Sequence, residues 1–303
     1  MTQIEIVEVG PRDGLQNESV LVSTADKIGL IQRSIDAGVR RIEVASFVNP
    51  LKVPQMADAE AVIAGLPDRP DVTVIGLVLN QRGADRALAT RIDELGAVCV
   101  ASETFAQRNQ GQTRDGSVEI AREIVAMAKA GGRSAQITIG ASFGCPFESE
   151  IDPDVVVAMA VRAAEAGPRE IALADTIGVA VPAQVTRLVT RVREAIGPIP
   201  VRVHFHNTRG TGVANVWAAV QAGATVVDAS LGGLGGCPFA PGASGNVATE
   251  DVIYMLNRSG TETGVSLDRL VASSGWLAGV MGKTLPSMVG RAPPFPATQQ
   301  AQT

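Results

Sequence analysis

The feature that most constrains this chain is a repeat: eight short runs rich in β-branched residues, each followed by turn residues and then an amphipathic stretch. The runs are IEIVEVG from Ile4, RIEVASF from Arg41, VTVIGLVL from Val72, AVCVAS from Ala97, AQITIGASF from Ala135, EIALADT from Glu170, PVRVHFH from Pro200 and TVVDASLGG from Thr225. Their starts lie roughly 25 to 40 residues apart, room for one crossover helix between parallel strands. ADKIGLIQRSIDAGV carries apolar residues at three-to-four spacing, and VTRLVTRVREAIG does the same before a terminal glycine. Four connecting segments share an alanine-glycine stop, in DAGVRR, KAGGRS, EAGPRE and QAGATV. Eight βα units predict an α/β fold, a closed (β/α)8 TIM barrel, with a small C-terminal helical extension after the eighth strand. An open doubly wound sheet is the alternative, but it would usually show fewer strands and a nucleotide-type glycine turn after the first.

Composition suits that reading, with 46% hydrophobic residues but only 3% aromatic ones, so the core must be packed from Val, Ile, Leu and Ala. One catalytic domain is expected over residues 1–285, followed by a proline-rich, then polar tail over 286–303 that is expected to be partly disordered. The net charge of −5 comes without any basic run, which argues against a nucleic-acid partner. MTQIEIVEVG enters a strand pattern without a basic or apolar leader, and no run approaches the roughly 18 apolar residues of a membrane span. A cytoplasmic protein with no membrane partner is the expectation. Cys99, Cys145 and Cys237 are too scattered for a disulfide framework or a CxxC zinc site, and read as free thiols.

In a barrel of this kind the site forms where the strands end at their C-termini. Polar residues collect there: Arg12 and Asp13 after the first strand, Glu43 and Ser46 in the second, Asn80 after the third, Ser102 and Glu103 after the fourth, and Asp175 and Thr176 after the sixth. The seventh carries both histidines of the chain, His204 and His206, which a strand of period two points to one face. The pair alone leaves metal binding and simple packing open. At the end of a barrel strand, however, both imidazoles would face the mouth, where a cation needs a carboxylate from elsewhere. Asp13 is the best donor, because GPRDG sets it in the loop after the first strand, beside the second and eighth. A mixed nitrogen and oxygen set suits Mg²⁺ or Mn²⁺ better than a structural zinc.

GCPF occurs twice. Cys145 reads as a small buried turn residue, whereas Cys237 lies between GGLGG and PGASGN in a loop able to close over a substrate, and reads as a functional thiol. The four lysines, Lys27, Lys52, Lys129 and Lys283, all lie in helical or loop segments, which excludes a strand-borne Schiff-base lysine. LGGLGG lacks the following GKS/T of a phosphate loop.

VEVGPRDGLQNE at 7–18, IEVASFVNPLKVPQMAD at 42–58, DTIGV at 175–179 and GGLGGCPFAPGASGNVATEDVIYML at 232–256 together resemble the hydroxymethylglutaryl-CoA lyase family of metal-dependent barrel lyases. The resemblance implies that Asp13, His204, His206 and Asn246 bind a divalent cation, Mg²⁺ or Mn²⁺. It implies that Arg12 polarises a thioester carbonyl and stabilises the enolate, that Glu43 orders the metal site, and that Cys237 is a loop thiol needed for turnover. Asn80 and Thr176 would help line the substrate site. The implied reaction is retro-Claisen cleavage of a 3-hydroxyacyl-CoA to acetyl-CoA and a ketoacid, with His204 or Asp13 as base and Cys237 as acid or relay. A homodimer or higher homo-oligomer is implied as well.

This chain departs from the family pattern in places. Asn207-Thr208-Arg209-Gly210 stands where aspartate-threonine-tyrosine-glycine is usual, Ser19 replaces a frequent lysine, and Ala172 replaces a serine ahead of DTIG. The ligands are kept while surrounding groups differ, which puts the acyl group in question. Arg209 is expected to clamp a substrate carboxylate or to displace a helix contact. The rivals are a condensing synthase, which would usually carry a further regulatory domain, a carboxyl transferase, which would need a strand-borne lysine, and a non-catalytic barrel, which would be expected to lose ligands.

Overall fold

The computed structural model describes residues 3–236 and 245–295. Eight parallel strands close on themselves in chain order: β1 (Glu5–Glu8), β2 (Arg41–Ser46), β3 (Thr73–Val78), β4 (Glu94–Val100), β5 (Ser134–Gly140), β6 (Ile171–Asp175), β7 (Val201–Phe205) and β8 (Val226–Ala229). Register between β1 and β8, for example Ile6 opposite Val227, completes the closure. Helices α1 (Thr24–Asp36), α2 (Ala59–Gly65), α3 (Gln81–Leu88), α4 (Glu103–Gln110), α5 (Arg114–Ala130), α6 (Pro153–Ala164), α7 (Pro182–Ile196), α8 (Gly212–Gln221) and α9 (Thr249–Arg258) surround it. This is the (β/α)8 barrel that the repeat predicts. Two of the alanine-glycine stops show why glycine is needed there: Gly38 and Gly223 end their helices at φ +106° and +98°, a conformation costly to residues with a Cβ.

Alternation along each strand sends one set of side chains outward to the helices and the other into the barrel. On β7, Val203 and Phe205 join the large apolar cluster between strands and helices. The inward set contains a small apolar layer of Val7, Val9, Ile75 and Val226. Towards the N-terminal end the interior is charged instead. Arg41 Nη1 reaches Glu5 at 2.8 Å and Glu170 at 3.0 Å, and its Nη2 reaches Glu94 at 2.6 Å and Glu170 at 2.9 Å. Barrels are usually filled with branched apolar side chains at this level, so the hydrogen-bonded fork of Arg41 is what lets Glu94 and Glu170 stay buried. The same network corrects the expected start of the fourth strand: it begins at Glu94, not Ala97, because Glu94 finds its partner inside the barrel.

Beyond the eighth unit, α10 (Leu267–Met281) forms the helical extension and packs on α1, where the guanidinium of Arg33 stacks 4.6 Å from the Trp276 ring. Residues 287–289 are clipped to α9 by Asp251, whose carboxylate accepts from Ser287 Oγ and from the Met288 and Val289 amides. No helix among the described residues is long and apolar enough to cross a membrane.

Candidate active site

Asp13 is carried not by an irregular loop but by a π-helical turn, Gly10–Gly14, in which the Asp13 and Gly14 amides both donate to Val9 O. Pro11 opens this turn, where a missing amide hydrogen costs nothing, and the wider turn sets Arg12 and Asp13 at the mouth. Arg12 donates from Nε to Glu43 on β2 and from Nη1 to Asp13 Oδ1. Burial alone would lower the Arg12 pKa, but Asp13 and Glu43 outweigh it and push it up, so the guanidinium stays charged. Burial would raise Asp13, yet Arg12 and the two histidines hold its carboxyl well below the usual carboxylate range.

His204 and His206 follow each other on the inner face of β7 and its extension, with ring centroids 5.2 Å apart. Each Nε2 lies 3.9 Å from Asp13 Oδ2. On its other side His204 Nδ1 meets Asp228 Oδ2 of β8 at 3.2 Å. Burial would depress His204, but the hydrogen bond to Asp228 and the nearby Asp13 raise it. His206 lacks such a carboxylate partner, and burial together with the charge of His204 pushes it down to about 4.

Asn246 arrives from far along the chain. Residues 245–249 wedge between the ends of β7 and β8: Asn207 N donates to Gly245 O at 2.7 Å, Val247 N to Phe205 O at 3.0 Å, and Ser230 N to Val247 O at 3.0 Å. The bridge pairs Asn246 with His206 directly. Asn246 Nδ2 then donates to Asp13 Oδ2 at 2.8 Å and to Leu234 O at 3.2 Å.

These groups fit a divalent cation. Asp13, His204 and His206 offer donor atoms that all lie within 4.8 Å of one another. Asn246 Oδ1 and His206 Nδ1 are buried with no hydrogen-bond partner among the described residues, which is costly unless something else satisfies them. An ionised Asp13 and a neutral His206 are in the protonation states that ligation requires.

The cluster lies in a cavity of about 200 Å³ at the mouth. Arg12, Asp13, Glu43, Thr176, His204 and His206 line it, and Leu77, Val98, Val100 and Phe105 form an apolar wall. Thr176 Oγ1 also accepts from Ala141 N at 2.9 Å, which fixes its rotamer. Two expected substrate residues are placed otherwise. Asn80 caps α3 by accepting from Gly83 N at 2.9 Å, and the neighbouring Leu79 lines the cavity in its place. Arg209 is exposed and donates Nη1 to the carbonyls of Ile177 and Gly178 at 3.1 and 2.9 Å, so it braces the turn after β6.

Ser102 and Glu103 serve α4 and the start of α5, through Phe105 N and Arg114 N respectively, and Asp175 holds the amides of Val179 and Ala180. Ser46 Oγ donates to Gln16. Cys145 Sγ is buried against Ser102 Oγ at 2.9 Å. Cys237 lies outside the described residues. Among the cavity residues that escaped the sequence reading are two charged ones, Arg202 and Asp228. Their signal was the period of two itself, since Arg202 precedes His204 by two positions and Asp228 sits two after the inward Val226.

Residues 3–275 match the HMGL-like family. The chain is 42% identical over 305 residues to (R)-citramalyl-CoA lyase of Chloroflexus aurantiacus, covering 97% of this chain and 96% of that protein. It is 39% identical over 290 residues to the 3-hydroxy-3-isohexenylglutaryl-CoA/hydroxymethylglutaryl-CoA lyase of Pseudomonas aeruginosa, covering 96% and 97%. A solved HMG-CoA lyase from Acinetobacter baumannii, in complex with coenzyme A and 3-methylmalate, superposes with a TM-score of 0.91 at 42% identity, covering 96% of this chain and 95% of that one. With the fold, the Asp13–His204–His206 cluster and these matches along nearly its whole length, the chain belongs to the HMGL-like family.

Proposed function

We propose that this protein is a divalent-cation-dependent carbon–carbon lyase that splits a 3-hydroxy-3-methylglutaryl-CoA-like 3-hydroxyacyl-CoA into acetyl-CoA and a ketoacid, acetoacetate where the acyl group is methylglutaryl. The observation that carries the reading is the convergence of Asp13, His204 and His206 beside a charged Arg12 in one cavity. Related lyases with different acyl groups, one named for citramalyl-CoA and one for isohexenylglutaryl-CoA, support the reaction class and keep the acyl group open.

Held by Asp13, His204, His206 and Asn246, Mg²⁺ or Mn²⁺ would supply Lewis-acid polarisation of the substrate's tertiary hydroxyl. The hydroxyl proton passes to His204 or Asp13, at an atom that the cation would leave free. The C2–C3 bond then breaks: C3 becomes the carbonyl of the ketoacid, and the bonding pair moves into the thioester enolate. Arg12, kept cationic by Glu43 and Asp13, stabilises the charge growing on the thioester oxygen. Protonation of C2 completes acetyl-CoA, and Cys237 is the candidate acid or relay. The apolar wall of Leu77, Val98, Val100 and Phe105 keeps water from the enolate until that proton arrives.

Acetyl-CoA release from 3-hydroxy-3-methylglutaryl-CoA and from citramalyl-CoA, followed before and after EDTA and again after Mg²⁺ or Mn²⁺, tests the reading. Loss on chelation with recovery on re-addition is expected. Turnover that ignores EDTA removes the cation from the mechanism, and no turnover with any cation favours a binding barrel.

A further inference from the structure

Arg202 is an odd residue to find one strand repeat below His204. Its side chain is 2% exposed, yet it lines the cavity. In the strand register Thr138 faces Ala172 and Ala172 faces Arg202, so the arginine runs across β6 over a methyl-sized residue to reach β5. There Nη2 donates to Gln136 Oε1 at 2.5 Å and to Thr138 Oγ1 at 2.9 Å. Nε stands 3.4 Å from Glu170 and 3.5 Å from Asp228, near enough for charge pairing, but it makes no hydrogen bond. Nη1 has no partner at all among the described residues.

A buried guanidinium with unused donors is expensive unless a ligand completes it. Nη1 is the donor left over beside the cavity, and the acceptor that binds a guanidinium N–H most strongly is an anionic oxygen, which a carboxylate supplies. We infer that Arg202 binds the free carboxylate of the acyl group, making it the residue that selects thioesters of hydroxy-dicarboxylic acids over those of simple 3-hydroxy acids. This rests on the lyase reading above and gives to Arg202 the carboxylate recognition expected of Arg209, whose Nη1 is held by backbone carbonyls. The small side chain of Ala172 leaves the path across β6 open.

The test compares wild type, Arg202→Gln and Arg202→Lys on three thioesters: 3-hydroxy-3-methylglutaryl-CoA, citramalyl-CoA and the carboxylate-free 3-hydroxy-3-methylbutanoyl-CoA. Calorimetric titration with pyruvate and with acetoacetate, with and without Mg²⁺, gives a readout independent of turnover. For Arg202→Gln, KM on the carboxylate-bearing thioesters should rise about 10- to 100-fold, the range for loss of a charged hydrogen bond, with kcat less affected and the neutral thioester unchanged within about threefold. Ketoacid binding should weaken by a similar factor. Arg202→Lys keeps the interior charge but loses the Nη1 donor, so a smaller rise confined to the carboxylate-bearing thioesters is expected, and this variant decides the matter if the glutamine variant does not fold. Equal changes on charged and neutral thioesters, or no change in ketoacid binding, would overturn the assignment. Absence of turnover in wild type would count against the lyase reading alone, since the calorimetric comparison would still decide for or against Arg202.

Discussion

Asp228 Oδ2 lies 3.2 Å from His204 Nδ1, and this contact decides which imidazole nitrogen is left for Asp13 and the cavity. A carboxylate behind a ligating histidine fixes its tautomer and ring angle and raises its basicity. Asp228→Asn keeps the shape and removes the charge. Mn²⁺ affinity, followed by electron paramagnetic resonance, and turnover should each fall about 10- to 100-fold, with the unfolding midpoint little changed. Unaltered Mn²⁺ affinity would sink this role.

Gly235 stands against Asn246. A Cβ built there would lie 2.6 Å from Asn246 Nδ2, and the backbone is at φ +129°, where a side chain is strained. Gly235→Ala should therefore push Asn246 away from Asp13 and weaken cation binding by about tenfold or more, comparable to the loss of an outer partner of a metal ligand. A Mn²⁺ titration that matches wild type would show that Asn246 is not a ligand.

Arg41 holds three carboxylates at the N-terminal end of the barrel, Glu5, Glu94 and Glu170. Removing one partner of a buried ion network leaves uncompensated charge, which typically costs about 3 to 5 kcal/mol. Arg41→Met should lower the free energy of urea unfolding by that amount, and adding Glu94→Gln should restore part of it. If the double variant is no more stable than the single one, the buried charge is not the source of the loss.

Glu8 faces away from the barrel interior and clasps both ends of the site, with Oε1 accepting from Gly10 N and Leu231 N and Oε2 from Thr249 Oγ1. Burial pushes its pKa from 4.5 up to about 7, against the lowering effect of those hydrogen bonds. Between pH 4.5 and 7 the folded chain therefore binds more protons at Glu8 than the unfolded chain does, so this group's contribution makes stability fall as pH rises through that window. The total is on the order of 3 kcal/mol. Glu8→Gln, which keeps the Oε1 acceptor, should flatten that slope in urea unfolding at pH 5 and pH 8. Parallel slopes for the two proteins would show that Glu8 does not titrate in the window.

Much of the fold was legible from local pattern. The apolar periodicity of the strands and helices reports which side of each element meets solvent and the alanine-glycine stops report where a helix ends, and both depend only on neighbours a few residues away. The one strand start misplaced by more than a residue, at Glu94, failed because its partner Arg41 lies 53 residues earlier, and a charged residue reads as exposed until that partner is known. Asn80 and Arg209 show a related ambiguity: strand ends collect polar residues both for chemistry and for capping, and local pattern does not show that Gly83 N lies beside one and Ile177 O beside the other.

By itself the sequence determined that a barrel forms, and that two histidines share a face at its mouth, since both follow from the period of strand and helix. Only the tertiary structure decided what those histidines face. Asp228 reaches His204 from a strand 24 residues on, and Asn246 meets Asp13 across 233 residues. Contacts of that span exist because the barrel closes β1 against β8 and wedges residues 245–249 between the ends of β7 and β8, and no local periodicity encodes where such a closure brings distant side chains together.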